Sequence, residues 1–276
     1  MSRAPLSCVV ITKNEAGRIR RLLESIRWVS EIIIVDDDSV DQTREIAQSY
    51  GATIVRHQSC GDFDAQRNRG IAQASQEWVL QLDADEVVSA DLREEIERQL
   101  LTPGSFDAFR ITRRNHFLGH EMRYGGWAGQ QGVKLFRKGR ARYVGHSVHE
   151  TLQVDGPIGS LNHPVDHYPF QSIEEFIERQ NFYTSVEARV MLGHRGRLPS
   201  RVTLYQAAVR PVKLFWKFYV KKQGHRDGWH GLVFSLLFAF THFMLWIKYW
   251  EILQAGSSSG KRSSGATRMV ESLEHA

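Results

Sequence analysis

Glu31-Ile32-Ile33-Ile34-Val35-Asp36-Asp37-Asp38-Ser39 sets a β-branched apolar run directly against three consecutive carboxylates. An unbroken run of this kind reads as a strand buried on both faces, and the acidic stop marks its carboxyl end. Working outward, Leu6-Ser7-Cys8-Val9-Val10-Ile11 repeats the pattern and gives way to polar Thr12-Lys13-Asn14-Glu15. Glu77-Trp78-Val79-Leu80-Gln81-Leu82 repeats it again and runs into Asp83-Ala84-Asp85-Glu86. Between these strands, Leu22, Leu23 and Ile26 give one helix an apolar face. Ser39 or Asp41 caps another that carries Ile46 and Ala47, and Gly51 ends it before a short strand over 52–55. Residues 66–74 and 90–100 predict two further helices. Strands alternating with helices at this spacing predict an α/β fold with a mostly parallel, open sheet flanked by helices. Its ligand crevice lies beyond the strands' carboxyl ends.

From about 105 to 170 the texture changes. Short strand candidates at 106–111, 133–136, 141–144 and 150–154 predict a continuation of the sheet with a lid or acceptor region. Ser172–Met191 predicts a helix capped by Ser172, with Glu175 at its third position. Residues 193–201 read as a turn or linker. The segment 202–220 alternates bulky apolar residues with Arg210, Lys213 and Lys217, and Pro211 is expected to kink it or to start a new helix. The run 232–247 covers about 24 Å as a helix, short of a hydrocarbon core of about 30 Å. An in-plane or re-entrant helix therefore competes with a span, and packing against a second subunit is the other alternative. The expected organisation is a catalytic domain over 1–192, including the acceptor or lid region 105–170. A basic, aromatic-rich set of hydrophobic and amphipathic membrane-associating helices follows over 193–254, and a flexible tail over 255–276.

The chain has 276 residues, 42% of them hydrophobic, which supports a sizeable core and excludes collagen-like or wholly disordered classes. Its two cysteines cannot build a disulfide scaffold or a four-thiolate zinc site. The net charge of +5 conceals an asymmetry: residues 1–100 carry 12 Lys/Arg against 18 Asp/Glu, and residues 201–276 carry 11 against 4. Basic residues interleaved with Trp, Phe and Tyr beside an apolar run point to an anionic membrane surface rather than to nucleic acid. The opening MSRAPLSCVV lacks the apolar core of a signal peptide, so the catalytic part is expected at the cytoplasmic face of the inner (plasma) membrane, peripheral or shallowly inserted.

Two acidic clusters at the ends of strands in one sheet suit a hydroxyl-rich partner that also brings a divalent metal, as a nucleotide diphosphate does. Loop carboxylates in solvated turns are the plainer alternative. The Gly-rich turn of a dinucleotide site, a Walker A loop and a Gly-x-Ser-x-Gly elbow are all absent from the sequence.

LSCVVITKNEAGRIRRLLES, EIIIVDDDSVDQTREIAQSYGA and DAQRNRGIAQASQEWVLQLDADE, in that order and spacing, resemble the family 2 glycosyltransferases of the GT-A fold over roughly residues 5–103. Farther on, RRNHFLGHEMRYGGW, VKLFRKG, VHE and DGWHG resemble a narrower branch, the β-1,4-glucosyltransferases of lipopolysaccharide core assembly. The resemblance implies an inverting, metal-dependent transfer of a sugar, UDP-glucose favoured, to a hydroxyl of a lipid-linked surface glycan. Donor contacts carried over are Thr12, Glu15, Asn14, Asp37, Arg67 and Asp83, with Asn68 bracing the loop. Asp85 is implied as the principal ligand of Mg²⁺ or Mn²⁺, and His167 is the candidate to reach the diphosphate or complete the metal shell. An inverting displacement needs a carboxylate base opposite the diphosphate; Glu150 is the first candidate and Asp166 the second. A salt bridge to a nearby Arg is the plain alternative for Glu150.

The other histidines, His146, His149 and His163, match no usual metal spacing and fit structural hydrogen bonding equally well. Trp127 and Tyr124 read either as an acceptor platform or as core aromatics. Arg113, Arg114 and Arg123 read either as anion contacts or as a solvated loop. UDP-galactose, UDP-N-acetylhexosamine and ADP-heptose stand beside UDP-glucose as donors. The rival classes are a nucleotidyltransferase, which should show a Gly-rich Lys-bearing loop, and a silent membrane- or glycan-binding scaffold. A homo-oligomer is compatible with the sequence.

Overall fold

The computed structural model describes residues 4–271 except 60, 103, 145–151 and 197. The elements follow in the order β1 (Ala4–Thr12), α1 (Ile19–Ser25), β2 (Val29–Asp36), α2 (Thr43–Ser49), β3 (Thr53–Arg56), α3 (Phe63–Gln73), β4 (Trp78–Asp83), β5 (Glu86–Val87) and α4 (Ala90–Leu101). Then come β6 (Ala108–Phe117), β7 (His120–Glu121), β8 (Gln131–Arg137), β9 (Ala141–Tyr143), β10 (Leu152–Val154), β11 (Ile158–Ser160) and β12 (Val165–Phe170). The chain ends in α5 (Ile173–Arg195), α6 (Ser200–Phe215), a π-helical turn over Trp216–Lys221, a 3-10 turn over Gly224–Asp227, and α7 (Gly228–Glu271). Contacts divide it into two compact units, Met1–His116 with Ala128–Pro169, and Phe117–Trp127 with Phe170–Ala276. The 23-residue α5 thus groups with the C-terminal helices, whereas the sequence reading placed it with the sheet.

In the first unit the sheet runs β3-β2-β1-β4-β8-β6-β12-β5. β3, β2, β1 and β4 are mutually parallel, and β8 then joins β4 antiparallel. The fold is therefore the expected α/β sheet flanked by helices, with a parallel half and a mixed half. Period-2 alternation sends Leu6, Cys8, Val10, Ile32, Ile34, Leu80 and Leu82 to one face, where Leu22 and Leu23 of α1 and Leu92 and Ile96 of α4 complete a core. Val9, Ile33, Val35 and Val79 take the other face with Ile71 of α3. α3 lies so close to the sheet that a Cβ on Gly70 would meet the Val9 and Val35 side chains at 2.5 and 2.7 Å. α3 begins three residues earlier than the sequence suggested, because Asp62 accepts from the Ala65 amide at 2.9 Å. α2 starts after Gln42, whose side chain makes no cap bond; of the two expected caps, Asp41 accepts from the Thr43 amide, while Ser39 is engaged by the Asn14 amide.

In the second unit, Ala188 of α5, Ala207 of α6 and Leu245, Trp246, Tyr249 and Leu253 of α7 form one core. The Lys248 ammonium donates to Asn181 Oδ1, Thr184 Oγ1 and Ser185 Oγ of α5 at 2.6–2.9 Å. Phe117, Met122, Phe176 and Phe234 form a second core, and Trp127 stacks on Phe234 at 4.5 Å, so Trp127 is a packing residue. The DGWHG segment is a structural corner. Asp227 accepts from the amides of Arg123 and Tyr124, and a Cβ on Gly231 would fall onto the Gly224 carbonyl oxygen.

Three expectations change here. α6 passes through Pro211 without restarting and widens into the π-helical turn five residues later. Packing against α7 holds the segment together where the proline withholds its backbone donor. The tail expected to be flexible over 255–276 continues α7 as helix to Glu271. Propagating an existing helix costs far less than nucleating one, so a Gly/Ser-rich stretch can follow on. The apolar helix also outruns the 16-residue run read from sequence: among the described residues one helix, over Gly224–Ala255, is long and apolar enough to cross a membrane by length and composition, with 33% of its apolar window buried inside the protein.

Candidate functional site

Parallel register brings the polar strand ends to one edge, since Thr12 pairs with Asp36 and Ile11 with Asp83 across β1. Thr12 is buried and donates to Asp36 Oδ1 at 3.3 Å. Asn14 takes a positive φ of 55°, which lets its side chain accept from the Val40 amide at 2.8 Å while its own amide reaches Ser39. The Glu15 amide donates to Thr43 Oγ1 at 2.8 Å, and its carboxylate pairs with Arg18 at 2.8 Å. Asp37 is buried and accepts from the Ser59 amide, the Ser59 hydroxyl and Lys13 at 2.8–3.0 Å. Burial raises its pKa, but the Ser59 and Lys13 hydrogen bonds outweigh that and hold the carboxyl below its ordinary value.

Asp83 sits among three cations. Arg67 from α3 reaches it at 3.2 Å, Arg113 from β6 is hydrogen-bonded to it, and Lys134 from β8 lies 3.8 Å away. Burial opposes its charge, yet Lys134, Arg113 and Arg67 together depress its pKa strongly, so the carboxylate stays ionised. Glu86, fully buried, ties the same cations down from behind, at 2.6 Å to Arg113 and 2.7 Å to Lys134. A cavity of about 340 Å³ opens beside this network, lined by Arg67, Asp83, Arg113 and Lys134 with Gln81, Tyr143 and the 130–133 segment. Asn68 exchanges two hydrogen bonds with the Tyr143 backbone and so fixes β9 at the cavity wall.

After Asp83 the chain turns, and β5 pairs antiparallel with β12, His167 opposite Glu86 and Asp166 opposite Val87. The Tyr168 amide donates to the Asp85 carbonyl at 2.8 Å. This pairing sets His167 Nε2 3.5 Å from Asp85 Oδ1. On its other side, His167 Nδ1 lies 2.6 Å from the carboxamide oxygen of buried Asn115. A carboxamide oxygen only accepts, so Nδ1 donates to Asn115, and the Nε2 edge of the ring faces the Asp85 carboxylate. No group of three or more His, Cys, Asp or Glu that could hold a metal occurs among the described residues.

Asp166, the second candidate base, is gripped by Arg114 at 2.6 and 2.8 Å and by His116 at 2.8 Å. Burial raises its pKa, but those partners outweigh it and leave a weak base. Glu150, His146 and His149 lie outside the described residues. His163 is bonded to Glu95 at 2.8 Å, away from the metal candidates. Arg113 and Arg114 are strand residues in ion pairs, not a solvated loop, and Arg123 pairs with Glu121 at 3.1 Å. Tyr124 stacks under the Arg226 guanidinium at 4.2 Å. Sequence reasoning missed Glu86, Asn115 and Lys134. The signal for Asn115 was the alternation of β6, which puts Arg113 and Asn115 in phase with core residues Phe109 and Ile111.

Residues 7–149, just over half of the chain, match the family model Glycosyl transferase family 2. An uncharacterized glycosyltransferase of Rickettsia bellii is 29% identical over 268 residues, covering 90% of this chain and 86% of that protein. The lipopolysaccharide core biosynthesis glycosyltransferase LpsC of Rhizobium meliloti is 26% identical, covering 90% and 93%. Among solved structures, S. aureus TarS 1-349 in complex with UDP is 16% identical, covers 94% of this chain and 92% of that one, and has a TM-score of 0.46. The chain belongs to glycosyl transferase family 2, and its activity is transfer of a sugar from a nucleotide-sugar donor.

Proposed function

We propose that this enzyme is an inverting transferase that moves a sugar, UDP-glucose favoured, to a hydroxyl of a lipid-linked glycan such as the lipopolysaccharide inner core, at the cytoplasmic face of the membrane. The observation that carries the chemistry is the facing pair Asp85 Oδ1 and His167 Nε2, 3.5 Å apart, beside the ionised Asp83. The pair fits Mg²⁺ or Mn²⁺ held by one or two protein groups and completed by substrate phosphates. Such an ion, when bound, offsets the negative charge that develops on the departing nucleotide. Asn115 accepts from His167 Nδ1 and so orients the ring with Nε2 toward Asp85.

The protein's own residues bind and orient. Thr12, Asn14, Glu15, Asp37 and Arg67 hold the nucleotide at the strand ends, and Asp83 offers acceptor lone pairs to ribose hydroxyls. The acceptor oxygen attacks the anomeric carbon as the bond to the diphosphate oxygen breaks, and its proton passes to Glu150. Asp166 is the weaker choice for that proton because Arg114 and His116 already occupy it. The Rhizobium relative, named for lipopolysaccharide core biosynthesis and matched over 93% of its length, supports the acceptor class.

Calorimetric titration of the full-length protein with UDP, ADP and GDP, with and without Mn²⁺, tests the reading. UDP binding that needs Mn²⁺ and collapses in Asp85→Ala and His167→Ala is the expected result. Metal-independent binding unaffected by either substitution refutes the metal assignment. Binding of ADP alone moves the donor to an ADP-sugar.

A further inference from the structure

We infer that, within the membrane-surface reading proposed above, α6 and the π-helical turn after it form an in-plane seat for an anionic lipid surface, distinct from the apolar helix α7. The segment 200–222 carries Arg201, Arg210, Lys213, Lys217, Lys221 and Lys222 and no Asp or Glu. Its apolar residues are not all turned inward. Tyr205 is 59% exposed, Val212 68% and Trp216 57%. On a 3.6-residue period, Tyr205, Val209, Val212 and Trp216 fall in one stripe about 60° wide. Arg210, Lys213 and Lys217 follow on the adjoining flank, while Thr203 and Ala207 lie on the opposite side, buried in the second unit. The helix thus has a face that docks it to the protein, an exposed apolar face, and a basic ridge between them.

That order suits a bilayer interface: Trp, Tyr and Val enter the headgroup–acyl boundary while lysines meet anionic headgroups. Charge argues against a second copy as the occupant. A two-fold pairing through this face would set the same cations against one another with no acid to answer them. A helix crossing the membrane does not account for the stripe either, because the span candidate is the other helix.

The test is flotation of the full-length protein with vesicles of phosphatidylcholine alone or with about 30% phosphatidylglycerol. Wild-type protein is expected to float with the anionic vesicles and to be released as ionic strength rises from about 0.1 to 1 M. Lys213→Gln/Lys217→Gln/Lys221→Gln is expected to weaken partitioning about 100-fold, near fivefold per charge. Trp216→Phe should remove most of the tryptophan quenching produced by brominated lipid. These positions are exposed, so folding is checked by an unchanged melting curve. If the triple variant floats as well as wild type while Phe240→Ser/Phe243→Ser on α7 does not, the seat is α7 and the inference fails. It fails equally if the protein dimerises without lipid and Trp216→Ser dissociates the dimer.

Discussion

Replacing Lys134 by Met isolates the energetics of the network that keeps Asp83 ionised. The ammonium is buried, 2.7 Å from Glu86 and 3.8 Å from Asp83. At an effective dielectric of about 20 these separations correspond to gross attractions of about 6 and 4 kcal/mol. Desolvating three charges offsets most of that gain. The net effect of removing one partner is nonetheless large, because Glu86 is fully buried and would be left with Arg113 as its remaining close cation. Breaking a buried pair this way costs about 3–5 kcal/mol. Methionine matches the length of the lysine stem, so packing loss adds little.

The assay is urea unfolding of wild type, Lys134→Met, Glu86→Gln and the double variant. Lys134→Met alone should lose about 3–5 kcal/mol and lower the melting temperature by about 10 °C. The double variant should recover about 2 kcal/mol or more of the summed losses, since Glu86→Gln removes the charge that Lys134 answers. A loss below about 1 kcal/mol, or a cycle additive within about 0.5 kcal/mol, refutes the claim that these groups act as one buried network.

Two further predictions concern the same edge. Asp83 has a depressed folded pKa, so its contribution is present above its unfolded pKa of about 3.9 and is lost as pH falls below it; Asp83→Asn should be less stable at neutral pH but flatter in urea midpoint between about pH 5 and 3. A wild-type-like acid slope in that variant overturns the assignment. Asn115→Leu should weaken Mn²⁺-dependent UDP binding about 10–100-fold with little change in metal-free binding, because His167 loses the hydrogen bond that orients its ring; unchanged Mn²⁺ dependence removes His167 from the metal shell.

The parallel half of the sheet was legible because each strand announces itself twice. Ile32–Val35 and Val79–Leu82 give apolar runs, and the aspartates that follow them mark the ends. Parallel strands of one sheet end at one edge, so Asp37 and Asp83, at the ends of the strands either side of β1, could be placed on the same edge from the sequence. The mixed half was not legible in the same way. β5 is two residues long and has no pattern of its own, yet its pairing with β12 is what delivers His167 to Asp85. From sequence, Arg113 reads as an anion contact or part of a solvated loop and Lys134 does not stand out, because nothing in the local pattern ties either residue to a buried acid. Their burial depends on Glu86, a partner that is distant in sequence and hidden behind the acidic motif. Likewise, the continuation of α6 through Pro211 depends on packing against α7 and not on local propensity.

The two aspartates of the 83–85 motif illustrate how environment divides roles that sequence leaves equivalent. Were β4 to continue as a straight strand, residues two apart would project to one face and share surroundings. Instead the chain turns at Ala84-Asp85, and Glu86 returns to accept the Asp83 amide at 3.0 Å. Asp83 is left facing guanidinium and ammonium groups that the protein itself supplies, and its charge is answered internally. Asp85 is set 3.5 Å from the His167 imidazole, with the Arg113 guanidinium also within electrostatic reach. A carboxylate neutralised by fixed cations is suited to hydrogen-bond a hydroxyl, since no further cation is needed to hold its charge. The different surroundings of Asp83 and Asp85 therefore follow from one turn and one antiparallel pairing, both set by residues outside the motif.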